Sequence, residues 1–118
     1  MNIIKEENHW QITATATELL NANWLVTLTD APAFTILDIS ELIESELNSV
    51  AESIREWMEY HLELGGKGVL VTAFETEIRA LLSATEESLI VMPTLEEAVD
   101  AVFFAIIEND LLNGSDFE

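Results

Sequence analysis

The stretch GVLVTAFETEIRALLSATEESLIVM, residues 68 to 92, changes its hydrophobic pattern twice, and the fold follows from how those changes are read. GVLVTAF, Gly68 to Phe74, is a nearly unbroken apolar run, the mark of a strand covered on both faces. FETEIRALL, from Phe74, reads as a short amphipathic helix, and SLIVM, Ser88 to Met92, as a further apolar strand. A strand, a helix and a strand in so short a span imply parallel strands joined by a right-handed crossover.

The same unit repeats on the N-terminal side. FTILDI, Phe34 to Ile39, is another almost wholly apolar strand, preceded by the turn residues DAPA. From about Leu47 to Leu64 the period becomes helical, with Leu47, Val50, Ile54, Trp57, Met58 and His61 along one side. Gly65, Gly66 and Gly68 end that helix. On the C-terminal side Pro93 precedes Thr94, whose hydroxyl is placed to cap a last helix while Glu97 reaches back, the capping-box spacing. Nearer the N-terminus, His9 to Thr17 alternates Trp10, Ile12, Ala14 and Ala16 with polar residues, a half-buried strand, and Asn2 to Glu6 pairs with it as a hairpin. Asn23 to Thr29 has strand-like composition, yet Asn23 equally fits a helix cap. The expectation is one α/β domain over residues 1–112, with a mixed, mostly parallel sheet of four to five strands and helices packed on it. Residues 113–118 form a disordered acidic tail.

Composition narrows the function. The chain has 118 residues, 49% hydrophobic, with 23 acids against 4 bases and a formal charge of −19. So much apolar content argues for a folded core, so the acids coat its surface. Such a coat repels phosphate backbones and anionic lipid headgroups, which makes nucleic acid and membranes unsuitable partners and basic proteins suitable ones. There is no cysteine, which excludes disulfides and thiol chemistry. The longest apolar stretch, AVDAVFFAII, carries Asp100 and is far short of the roughly 18 to 20 residues that span a bilayer. With no secretory signal pattern at the N-terminus, a soluble cytoplasmic protein is expected.

Enzyme chemistry needs convergent groups, and few are offered. His9 lies at a strand start and His61 on the apolar side of the long helix, neither with a nucleophile motif beside it, so both read as structural. Neighbouring acids such as Glu86 and Glu87, or Glu96 and Glu97, diverge by about 100° on a helix. No calcium-loop pattern is present, and the glycines of LGGKGVLV lead into a strand rather than opening a helix as a phosphate loop does. Neither a metal nor a cofactor is expected.

Ser45, Ser49 and Ser53 lie on the outward or flanking side of the long helix, with Glu52 and Glu56. Ser49 to Glu52 has capping-box spacing, which would make Ser49 open the helix at the positive end of its dipole. In the last helix, Ala98, Val99, Val102 and Ile106 follow one apolar side, and Phe103, Phe104 and Ile107 widen it beyond what one sheet covers. These three are candidates for an interface, with homodimerisation one use of it.

ILDIS, a helix with serines near its start, GGKGVLVTAF and then SLIVMPTLEEAVDAVF together resemble the STAS domain of anti-sigma factor antagonists. The resemblance spans most of Ile36 to Leu112. It implies a small α/β domain that docks on a kinase-type anti-sigma factor, or a related serine kinase, through a signature of two serines and a glycine opening a helix. Phosphorylation of one serine there breaks the complex. Without a gap, Glu46, Leu47, Asn48, Ser49 and Val50 lie over that signature, and shifts of one or two residues bring Ser49 over a serine. The glycine is missing in every register. Carried over in this way, Ser49, then Ser45 and Ser53, are the phosphorylation candidates, and Glu46, Asn48, Ser49 and Glu52 the partner-binding ones.

Overall fold

The computed structural model describes residues 1–21, 24, 25, 31–84 and 88–114, with 109–114 described by their backbone alone. Strands β1 (Asn2–Lys5) and β2 (Trp10–Thr13) form the expected antiparallel hairpin, with Asn2 opposite Thr13 and Lys5 opposite Trp10. The Lys5 ammonium lies 4.6 Å from the centre of the Trp10 ring, a cation–π contact across the pair.

β2 is shorter than the alternation to Thr17 suggests. The Thr15 hydroxyl accepts from the Glu18 N–H at 3.3 Å, and the Glu18 carboxylate accepts from the Thr15 N–H at 2.9 Å. This reciprocal capping box opens α1 (Ala16–Leu20) and turns the chain out of the sheet. The backbone then continues through β3 (Phe34–Asp38), α2 (Glu44–Glu63), β4 (Lys67–Val71), α3 (Glu75–Leu82), β5 (Leu89–Met92) and α4 (Leu95–Gly114). α4 therefore runs two residues past the domain boundary expected at 112. Residues 26–29 of the ambiguous segment, with Asn23, lie outside the described residues, as do Glu86, Glu87 and 115–118 of the expected tail.

The sheet order is β1-β2-β3-β4-β5, with β2 to β5 mutually parallel. Each parallel strand is laid beside the previous one in the same direction, so crossovers of one hand put α1, α2 and α3 on one face. There Ile12, Leu37, Leu70 and Leu89 pack against Leu19, Ile54, Trp57 and Ile78. The other face is left to α4, whose Ala98 and Val102 cover Phe34, Ile36, Val69 and Val71. β3 and β4 are thus buried from both sides, which is why FTILD and KGVLV lack polar alternation.

Two glycines fix how α2 meets the sheet. Gly65, at φ +82°, occupies the left-handed position after the helix, with its N–H on the Leu62 carbonyl (3.1 Å) and the Gly66 N–H on the His61 carbonyl (3.0 Å). That is a Schellman closure. Gly68 lies directly beneath the Trp57 ring, where a Cβ would stand 2.5 Å from Cη2. The start of α4 is as expected: the Thr94 hydroxyl accepts from the Glu97 N–H at 3.2 Å and donates to the Glu97 carboxylate at 2.9 Å. Among the described residues no helix is long and apolar enough to cross a membrane.

Candidate functional site

The entrance of α2 begins where β3 ends. The Asp38 carboxylate accepts from the Ser40 N–H at 2.9 Å, so that Ser40 and Glu41 are exposed between Ile39 and Leu42, both of which are buried in the core. Ile43 follows in an extended conformation as the cap residue (φ −89°, ψ 164°). Isoleucine has no side-chain acceptor, so the first turn closes through backbone: the Glu46 N–H donates to the Ile43 carbonyl (3.0 Å), and the Glu46 carboxylate takes the Ile43 N–H (3.0 Å). The side chain of Ile43 is left 61% exposed.

The helix therefore starts at Glu44, ahead of the expected Leu47, and Ser49 does not open it. Ser49 lies in the second turn, and its hydroxyl donates to the Glu46 carbonyl at 2.8 Å. The dipole's positive end, whose effect fades within the first turn, lies N-terminal to it. Ser45, Asn48, Ser49 and Glu52 are all exposed and recur at i, i+3, i+4 and i+7, so they form one solvent-facing stripe. Glu46 is half-buried by its capping bond, and Ser53 is half-buried at the flank.

Beside the stripe, α2 and α3 enclose a groove of about 350 Å³. Leu47, Ala80 and Leu81 supply its apolar walls, Asn48 its polar edge, and Glu44 and Glu77 its rim. Arg55 ties the two helices together nearby, donating to Glu52 at 2.7 Å and to the Leu81 carbonyl at 2.8 Å. Its charge is thereby engaged internally, and the rim keeps its acidic character. Sequence reading missed Ile43, Glu77, Ala80 and Leu81. The first had a signal: of the consecutive apolar residues Leu42 and Ile43 only one can face the core, and it is Leu42 that is buried.

Neither a protein-family model nor a curated protein matches this chain.

The two histidines lie apart from the α2 entrance. His61 is fully buried, with Nε2 2.6 Å from the Thr35 hydroxyl, which also accepts from Trp57 Nε1 at 3.0 Å. Burial pushes its pKa down to about 4, against a smaller upward pull from the Ala33 backbone, and Nδ1 makes no well-formed hydrogen bond. His9 bridges Asn8 (2.9 Å) and Gln11 (3.2 Å) and meets the Phe103 ring edge-on at 6.1 Å. Burial lowers its pKa as well, with Glu6 pulling it back up. Both are held in neutral packing roles. Among the described residues no group of three histidine or acidic side chains converges on a metal-sized site. Phe103, Phe104 and Ile107 are exposed on α4, across the sheet from α2.

Proposed function

We propose that the chain is a non-enzymatic docking module of a bacterial signalling pathway, similar to an anti-sigma factor antagonist. Its partner is a basic-surfaced protein, an anti-sigma factor or a related serine kinase, gripped through the α2 entrance and the α2–α3 groove. The observation that carries the reading is Ile43. A large aliphatic side chain 61% exposed at a helix entrance is an anchor for another protein's pocket, and an acid-rimmed groove beside it supplies the polar surround typical of an interface. The stripe of Ser45, Asn48, Ser49 and Glu52 borders both.

Ser49 remains the first candidate for phosphorylation, ahead of Ser45 and Ser53, because shifts of one or two residues bring it over a serine of the family signature and its side chain is exposed. A dianion there would lie next to Glu46 and Glu52, where it repels its neighbours and changes the interface by charge and by bulk. Binding is tested by capture of a kinase-type anti-sigma factor on immobilised wild type and on Ile43→Lys, which leaves the backbone closure of the helix intact. Retention on the wild type and loss of about tenfold or more in affinity on the variant, ~1.4 kcal/mol, is the expected result. Equal retention on both would remove the α2 entrance from the interface. Incubation with that kinase and ATP, followed by mass spectrometry, reads the switch: phosphate on Ser49 is expected, whereas none on Ser45, Ser49 or Ser53 leaves a passive adaptor.

A further inference from the structure

α4 is apolar on every side from Ala101 to Ile107 (AVFFAII), yet it covers only one face of a sheet. Ala98 and Val102 are fully buried on its inner side, whereas Phe103, Phe104 and Ile107 are 46%, 68% and 53% exposed. At about 100° per residue these three occupy one contiguous outer arc. A helix of this kind in a small domain lacks a cover.

The outer arc borders a groove of about 680 Å³ between α4 and β5. Ile90, Met92, Ala101 and Ala105 form its apolar lining, and Phe104 and Ile107 its lip. An added strand does not fit there. The Thr72 N–H bonds to the Met92 carbonyl (3.0 Å), so ladder parity turns the backbone groups of Leu89 and Val91 outward, and these two residues are only 0% and 5% exposed. The edge is already covered, and the open feature is the helix and its groove.

Charge selects among the helices that could lie on it. The exposed charged residues of α4 with described side chains are Glu96, Glu97, Asp100 and Glu108, all acidic. Within the groove the charges balance, with Arg79 on Glu75 at 2.9 Å and Lys67 sharing the lining with Glu108. A second copy would bring the same acids against these acids, on top of a charge of −19 on each chain. A cationic partner meets no such opposition.

We infer that the outer face of α4 docks a basic amphipathic helix of another protein, with one large apolar side chain in the groove beside Phe104 and Ile107 and Lys or Arg side chains over Asp100 and Glu108. This surface lies across the sheet from α2, so it is independent of the docking proposed above. The test uses the ¹⁵N-labelled full chain and three synthetic peptides of about 18 residues, or five helical turns. One is a leucine–lysine amphipathic helix, one has the same composition scrambled so that no apolar face forms, and one has glutamate in place of lysine. The amphipathic basic peptide is expected to shift the amides of Ala101, Phe104 and Ile107, and to bind at least about tenfold more tightly than either comparator. Phe104→Asp and, separately, Ile107→Asp should each weaken it by a similar factor while keeping the wild-type circular dichroism, and Ile43→Lys should leave it unchanged. Equal binding of the scrambled peptide would reduce the effect to bare charge attraction and overturn the inference. So would unchanged binding by both aspartate variants, or sedimentation showing a wild-type dimer that Phe104→Asp converts to monomer, since a second copy would then be the cover.

Discussion

At His61 burial decides the charge of one ring. The Thr35 hydroxyl accepts the Trp57 indole N–H at 3.0 Å and lies 2.6 Å from His61 Nε2, so the neutral ring is fixed in place by a group that can serve it as donor or acceptor. A second proton would place a charge in a fully buried site, and that desolvation is why the folded pKa falls to about 4, against a smaller upward pull from the Ala33 backbone. In the unfolded chain the imidazole titrates near 6.5. Below that pH the unfolded state binds a proton that the folded state refuses, so this group's contribution to stability is lost as pH falls from about 6.5 towards 4 and is constant below. Between pH 7 and pH 5 the loss is about 2 kcal/mol. Carboxylates also titrate towards the acid end of that window, so the measurement is the difference between wild type and His61→Gln in denaturant unfolding at each pH. The wild type should lose about 2 kcal/mol more than the variant over this interval. Parallel curves would show that His61 is not the responsible group.

At the scale of elements, α2 illustrates what a sequence carries and what it omits. Its inner face was legible because Leu47, Val50, Ile54, Trp57, Met58 and His61 repeat with the helical period, and all six are buried. Its start was not, because Ile43 gives no capping signal and the first turn closes through backbone and Glu46, while Ser49 to Glu52 imitates a capping box inside the helix. α1 was missed for the opposite reason. A real capping box at Thr15 and Glu18 was hidden in an alternation that fits a strand up to Ala14, and five helical residues are too few to show a period. The strands β3, β4 and β5 were readable as apolar runs, and α4 by its Thr94 cap. For the candidate site, Asn48, Ser49 and Glu52 could be placed on an outward face, but the groove could not, since Glu77, Ala80 and Leu81 reach it through tertiary packing of α3 on α2. The same packing yields a test at Gly68. Thr35 pairs with Gly68 across β3 and β4, and Trp57 lies over both while bonding to Thr35. Gly68→Ala inserts a methyl 2.5 Å from the indole, so the ring must lift and stretch that bond. A cost of roughly 1–3 kcal/mol is expected by chemical denaturation, with a change in near-ultraviolet circular dichroism. An unchanged midpoint would mean that the spacing of α2 on the sheet is not set by this contact.

For the whole molecule, the governing quantity is charge against size. The chain carries −19, and two of its four bases, Arg55 and Arg79, are already in ion pairs with Glu52 and Glu75. Its two short dimensions are 28 and 24 Å. At 0.01 M salt the screening length is about 30 Å, so acids on opposite faces repel through the full thickness of the domain, whereas at 0.15 M it is about 8 Å and only neighbours interact. Folding concentrates these charges and unfolding spreads them, so screening favours the folded state. The thermal midpoint should therefore rise as sodium chloride increases from 0.01 to about 0.15 M and change much less beyond. The exposed ion pairs push the other way, but a surface pair contributes about 1 kcal/mol at most, and there are too few of them to offset the net repulsion. A midpoint that falls with salt across this range would mean that local pairing outweighs the surplus of acid. The same screening weakens attraction to any basic partner, so the salt that stabilises the domain should loosen its complexes. Coupled measurements of unfolding and of peptide binding along one salt series should move in opposite directions, which separates charge-driven docking from a purely apolar contact, where binding holds steady as salt rises.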